Sequence, residues 1–236
     1  MPAMSRPAPD VAPDAADDHR TWRPQLARET ARPSPVRDPI LEPDWDGIHV
    51  LAHFELGDPE AGAPSVALID VDGDDQTAAH TGLGEAIGRA VLAIDAVIDG
   101  VITEQALRTG IGAAIIHKAQ VPRTALLTAR DVGVDVDAKL VARGEGLAFV
   151  AVDLLRLDGQ SLLDLPLLER KRLLDAVIEQ GDLVRVSPYT RPPIAPWLAS
   201  WKSTGFRGAI VKASNSRYRP GSATDEWTLV SKLHGR

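Results

Sequence analysis

The sequence predicts an α+β domain organised around antiparallel sheet, and three observations carry that expectation. Residues 48–54 alternate in polarity and are followed, across a Gly/Pro-containing turn, by the apolar run 66–71, the pattern of a hairpin. Segments with helical spacing occur at 84–94 and 166–179. Further runs of strand length occur at 147–155, 183–186, 208–212 and 227–230, and the strands are expected to pair largely as neighbours.

Composition sets the outer limits. The 236 residues are 44% hydrophobic and 25% charged, enough for one large domain or two small ones, and no apolar run approaches the roughly 18 residues of a membrane span. The N-terminus, Met1-Pro2-Ala3-Met4-Ser5-Arg6-Pro7, has no apolar segment behind its charge, so a cytoplasmic protein without membrane partners is expected. The absence of cysteine excludes disulfides, thiolate metal sites and cysteine nucleophiles. Two tyrosines and three phenylalanines are too few for a base-stacking single-strand binder. The net charge of -7 divides unevenly: residues 1–38 are neutral, 39–184 carry -14 and 185–236 carry +7. A phosphate or nucleic-acid surface, if the basic region is more than a solvated face, is expected in residues 185–236. Twenty arginines against six lysines, with abundant alanine, suggest a GC-rich bacterial source.

Residues 1–38 hold seven of the eighteen prolines and show neither helical nor strand periodicity, which predicts a disordered leader, with the folded body spanning 39–236. After the hairpin, Ala86, Ile87, Ala90, Val91 and Ile94 mark a helix, and Ala96-Val97-Ile98 a strand entering a turn at Asp99-Gly100. Residues 104–142 read as helix and loop. Leu147 to Leu155 is a buried strand closed by the turn Asp158-Gly159. Pro166 to Glu179 is a helix with Leu167, Leu168, Leu173, Leu174, Val177 and Ile178 on one face and Glu169 to Arg172 on the other. A strand at Leu183–Val186, a helix around Trp197–Lys202 and two strands, 208–212 and 227–230, complete the order.

Four short elements stand out: Glu42-Pro43-Asp44-Trp45-Asp46-Gly47; Asp95-Ala96-Val97-Ile98-Asp99-Gly100; Phe149 to Gly159; and Gly205-Phe206-Arg207-Gly208-Ala209-Ile210-Val211-Lys212 running on to Tyr218-Arg219-Pro220-Gly221 and Asp225-Glu226-Trp227. In that order and spacing they resemble the adenylation domain of ATP-dependent DNA ligases of the bacterial end-joining type, from about Pro39 to Leu233. The resemblance implies an antiparallel-sheet nucleotidyltransferase fold, with ATP and Mg2+ as cofactors and DNA as substrate. It also implies a lysine nucleophile that attacks the α-phosphate of ATP, cations on the transferred phosphoryl group, and a carboxylate-held metal. The chain ends just after the last expected element, so the oligonucleotide-binding barrel that ligases use to complete the clamp on DNA is not expected.

Against the pattern Glu-x-Lys-x-Asp-Gly-x-Arg, however, the lysine position is Asp44 and the arginine position is His49. Val71 stands at a family arginine, Val101 at the ribose-binding glutamate, Val152 at the adenine-stacking aromatic and Arg207 at the metal-binding glutamate. Leu229 and Ser231 fall at two expected lysines. Glu42, Asp46, Gly47, Asp99, Gly100, Asp153, Gly208 and Lys212 match. No catalytic residue is therefore intact. What remains is a residual nucleotide pocket of Glu42, Asp46, Gly47, Asp99, Asp153 and Lys212 without a metal site, and retention of ATP and Mg2+ is in question.

Other patterns carry less. Lys212 reads as a residual phosphate contact or a strand-end lysine rather than a replacement nucleophile, and His49 and His53 as structural histidines. Asp70-x-Asp72-Gly73-Asp74-Asp75 departs from a calcium loop in its glycine and its twelfth residue and reads as a solvated turn. Gly110-x-Gly112 is too short for a dinucleotide fingerprint. Trp197 and Trp201 read as core; Trp45 and Trp227, beside the pocket, read as buried, with ligand contact the alternative. Arg191, Lys202, Arg207, Lys212, Arg217 and Arg219 form a basic set, with Arg207, Arg217 and Arg219 as DNA-backbone candidates of weak, salt-sensitive affinity. The expected function is a ligase-like protein without self-adenylation activity, a pseudoenzyme with an accessory or regulatory role in DNA repair and end joining, partnered by DNA or a repair protein. A divergent active ligase or adenylyltransferase and a protein-binding module using the acidic central face are the alternatives.

Overall fold

A computed structural model describes residues 18–29, 36–57, 62–104, 147–193, 196, 197, 199, 201, 206 and 208–230. The strands are β1 (Leu26–Glu29), β2 (Pro39–Pro43), β3 (Ile48–Glu55), β4 (Ser65–Asp70), β5 (Asp95–Thr103), β6 (Ala148–Leu157), β7 (Gln160–Ser161), β8 (Val184–Val186), β9 (Ala209–Ala213) and β10 (Ala223–Val230). Among the described residues two α-helices of ten or more residues, α1 (Thr81–Ala90) and α2 (Leu167–Val177), join them. Residues 196, 197, 199 and 201 are also helical.

The strands form two sheets, one of order β1-β10-β9-β2 and one of order β4-β3-β5-β6-β7 with β8 beside β6. Pairing is antiparallel except for β1 with β10 and β6 with β8. The expected hairpin is β3–β4, with Val50 opposite Asp70 and Phe54 opposite Val66. Asp158 and Gly159, both at positive φ, make the tight turn from β6 into β7.

Alternation along β5 shows how the core is divided. Ala96, Ile98 and Ile102 face a cluster with α1 and α2, including Ile87, Phe149, Leu154 and Leu174. Val97 and Val101 face the other way, into two clusters shared with the smaller sheet, one around Ile40, Leu51, Tyr218 and Trp227 and one around Leu41, Trp45, Trp201 and Val211. The region between the sheets is where the polar groups described below are buried. Trp201 and Trp227 are core residues, as expected.

Three sequence expectations need correction. The stretch assigned to a disordered leader is partly built into the fold: β1 pairs with β10, and Trp22 and Gln25 are 5% and 1% exposed. One indole and one short parallel strand hold it, a signal that proline-rich composition masks. Trp22→Ala is expected to cost about 3–5 kcal/mol, read from urea unfolding, because the ring packs among Ile40, Leu51, Val97 and Leu155. Secondly, Asp99-Gly100 is not a turn but the middle of β5. Asp99 is hydrogen-bonded to half-buried His49 and buried Tyr218, and a Cβ at position 100 would lie 2.4 Å from the Phe149 ring, so glycine is needed for close strand packing. Thirdly, Arg170 and Lys171, assigned to the polar face of α2, are 0% and 1% exposed. Residues 105–146, which contain Gly110-x-Gly112 and most of the helix-and-loop region, lie outside the described residues.

Candidate functional site

A cavity of about 290 Å³ opens between the two sheets. The smaller sheet contributes Gln25, Leu26 and Ala27 at β1, Glu42 and Pro43 of β2, Ile210 and Lys212 of β9, and Trp227 and Leu229 of β10. The larger sheet contributes His49, Val101 and Val152, and the β2–β3 connection adds Asp44, Trp45 and Gly47. Residues distant in sequence meet here because β2 leads directly into β3, handing the chain from one sheet to the other.

Behind the wall, each buried carboxylate has its own partner. Glu42, 1% exposed, accepts from Lys212 Nζ at 3.1 Å and is ion-paired to Lys171 Nζ at 2.6 Å. The Lys212 ammonium also lies 3.9 Å from the centre of the Trp227 ring, so it is engaged on two sides within the protein. Burial lowers the Lys212 pKa and the Glu42 charge opposes that shift. Asp153 takes a bidentate pair from Arg170, Nε to Oδ1 at 2.9 Å and Nη2 to Oδ2 at 2.8 Å, with both side chains fully buried. Arg170 Nη1 donates further to the carbonyls of Leu165 and Ser216 at 2.5 and 3.1 Å. Asp99 Oδ1 lies 2.5 Å from His49 Nε2, and Asp99 Oδ2 accepts from the Tyr218 hydroxyl at 2.8 Å. Burial, then Asp99, pushes the Tyr218 pKa well up, so that hydroxyl stays protonated while it accepts the Gln25 N–H at 2.7 Å.

Asp44 differs from all three. Its backbone N–H donates to the Gly208 carbonyl at 3.1 Å, and its carboxylate lies over Gly208, where an added Cβ would come within 2.9 Å of Oδ2. Among the described residues that carboxylate has no hydrogen-bond donor and no cation. Burial raises its pKa, and the nearby charge of Asp46 raises it further.

Of the residues assigned to a residual pocket, Glu42, Gly47 and Lys212 line the cavity. Asp46 is exposed beside it, while Asp99 and Asp153 lie fully buried in the network behind it. Three positions where the sequence departs from the ligase pattern, Val101, Val152 and Leu229, form apolar wall; Val71 is 40% exposed in the turn after β4. No group of three or more His, Asp or Glu side chains is placed to hold a metal ion among the described residues. Asp70 accepts the Gln76 amide and the N–H groups of Asp74, Asp72 and Gly73, which lowers its pKa and orders the acidic turn. Arg217 and Arg219 are exposed on either side of buried Tyr218, whereas Lys202, Arg207 and Ser231 lie outside the described residues.

His53 shares the His49 face of β3 but points to a different partner, its Nδ1 lying 3.4 Å from His19 Nδ1 with the rings stacked. Burial, then the His19 charge, lowers the His53 pKa to about 4. A folded-state pKa below the unfolded 6.5 means that the unfolded chain binds more protons between those values, so stability falls as pH drops through that window. Urea midpoints are expected to report a loss of about 2 kcal/mol between pH 7 and pH 5, absent in a His19→Asn/His53→Asn double variant.

Residues 113–230 match the family model described as ATP dependent DNA ligase domain, half of the chain. The chain belongs to the ATP-dependent DNA ligase domain family. It is 32% identical over 117 residues to a probable DNA ligase of Streptomyces coelicolor, a match covering 48% of this chain and 23% of that protein. DNA ligase 2 of Methanosarcina mazei is 24% identical over 214 residues, 84% of this chain and 33% of the relative. The multifunctional non-homologous end joining protein LigD of Mycolicibacterium smegmatis is 32% identical over 87 residues, 36% of this chain and 11% of the relative. The chain thus spans a third or less of each of these relatives.

Among solved structures, the fold is that of a mycobacterial DNA ligase D complexed with ATP and MES, at a TM-score of 0.59 and 20% identity, covering 90% of this chain and 60% of that one. The ligase domain of Mycobacterium tuberculosis LigD gives a TM-score of 0.60 and 22% identity, with the same coverage. These likenesses establish the ligase adenylation-domain fold. No helix among the described residues is long and apolar enough to cross a membrane.

Within that fold, sequence reading misses Gln25, Leu26 and Ala27 as cavity wall and Lys171, Arg170 and Tyr218 as partners of the buried carboxylates. Arg170 and Lys171 carry the signal of charge inside a leucine-rich segment, 167–174, whereas Tyr218, flanked by Arg217 and Arg219, carries none.

Proposed function

We propose that this ligase-family chain does not adenylate itself and acts as an accessory or regulatory protein in bacterial DNA repair and end joining, in the cytoplasm. The observation that carries the reading is the Asp44 carboxylate at the cavity wall, where the ligase pattern expects an amine. A carboxylate there adds repulsion toward a triphosphate. Two unit charges about 4 Å apart interact by about 4 kcal/mol at the effective dielectric of a protein surface. An adenylate formed on a carboxylate would be a labile mixed anhydride, not a phosphoramidate.

The rest of the wall supports the same reading. Val101, Val152 and Leu229 offer no charge to a ribose or phosphate, and Lys212 is held by Glu42 and Trp227. The described residues do not fit magnesium triphosphate: one partnered lysine and one free carboxylate face a ligand of high negative charge, and no donor set for the metal accompanies them. Incubation with labelled ATP and magnesium followed by a denaturing quench at mildly alkaline pH, where a phosphoramidate survives, should leave no covalent label; a stable labelled adduct would overturn the proposal. For the DNA-facing part of the role, Arg217 and Arg219 are candidates for phosphate contact. Anisotropy with a nicked duplex should show weak binding that declines steeply with salt. Salt-insensitive binding would remove that part.

A further inference from the structure

We propose that the cavity is a receptor for an organic monocation, a primary ammonium on a short apolar stem with its charged head against Asp44. The inference rests on the reading that this pocket no longer serves magnesium triphosphate, and it names what the pocket takes instead. Three observations converge. The Asp44 carboxylate faces the cavity half-buried, with no donor and no cation among the described residues. A half-buried carboxylate with no protein partner keeps its acceptors open to the cavity, and an ammonium supplies the donors and the charge together. Lys212, the lysine in the wall, cannot serve, because its ammonium is already bound to Glu42 and stacked over Trp227.

The remaining wall selects the shape of the cation. Leu26, Ala27, Val101, Val152 and Leu229 present hydrocarbon, which suits methylenes and not a hydrated metal ion. A metal would also need several oxygen ligands, and no such set exists among the described residues. At about 290 Å³ the cavity lies at the small end of ligand sites, a size for a stem like the four-carbon chain of lysine. The same chemistry is carried by a lysine side chain presented by a peptide and by a free alkylamine.

Calorimetry on the full chain at fixed ionic strength tests this with n-butylammonium chloride and 1-butanol, matched in stem and differing in charge. Butylammonium is expected to bind saturably, and butanol about 10- to 100-fold more weakly, the range for a hydrogen bond to a charged group. Asp44→Asn should weaken butylammonium by a similar factor while leaving the melting temperature close to wild type, since its carboxylate has no internal partner to lose. N-acetyl-lysine N-methylamide binding as tightly as butylammonium would support the proposal with a peptide side chain as the source. Weaker binding of the amide than of butylammonium would support it with a free amine. Absence of saturable butylammonium binding, equal affinity for butanol, or undiminished binding by Asp44→Asn would each overturn it. A covalent adenylate in the labelled-ATP experiment would sink the non-adenylating reading whatever the amines do. No adenylate and no amine binding would overturn this inference alone.

Discussion

Glu42→Gln is expected to lower unfolding free energy by about 3–5 kcal/mol, measured by urea denaturation at neutral pH. Glu42 holds two buried ammonium groups, and neither Lys171 nor Lys212 is more than 1% exposed at the side chain. Glutamine preserves the volume and one acceptor oxygen but removes the charge, so two lysines would remain in low dielectric facing an amide. The penalty arises from the uncompensated charges and not from the worth of the pair itself. A triple variant, Glu42→Leu/Lys171→Met/Lys212→Met, should therefore be far less destabilised than the single change, although it alters three core residues. If the single variant lost less than about 1 kcal/mol, water would have to reach these lysines, and the buried description of the triad would be wrong.

Arg170→Met should be comparably damaging, again about 3–5 kcal/mol. The guanidinium is fully buried, and it binds both oxygens of Asp153 and two backbone carbonyls. Methionine fills much of the space but leaves the fully buried Asp153 carboxylate with the Leu154 N–H and no paired cation, and it strips the guanidinium from the Leu165 and Ser216 carbonyls. Those carbonyls tie α2 to the loop before β10, so the variant should also expose amides of residues 163–168 and 214–218 to faster hydrogen exchange. Asp153→Asn combined with Arg170→Met should recover part of the loss, because the buried charge disappears with its partner. Additive losses in the double variant would contradict the coupling.

The two halves of the molecule were unequally legible in the sequence. Strands β3, β4, β6 and β9 could be read because each carries a continuous or alternating apolar pattern set by burial against a core. The hidden features are those that depend on a second element. Arg170 and Lys171 follow the polar period of an isolated helix, and only the carboxylates supplied by β6 and β2 make burial favourable there. Asp99-Gly100 has turn composition, yet Tyr218 and His49 satisfy the aspartate and Phe149 occupies the space above the glycine. Trp22 and β1 were obscured by the prolines around them. At the site, Asp44, His49, Val101, Val152, Lys212 and Leu229 were singled out through a resemblance in spacing, and they meet at one cavity. No periodicity argument could have joined residues from the β2–β3 connection, β3, β5, β6, β9 and β10.

The proposed function requires that this cavity has left triphosphate chemistry. Its most direct test is a calorimetric titration of the full chain with ATP and magnesium, followed by intact-mass measurement of the same sample. No saturable heat and an unchanged mass are expected, because the Asp44 carboxylate would repel the phosphates and Lys212 is held by Glu42 and Trp227. Stoichiometric heat accompanied by the mass of one adenylate would contradict it.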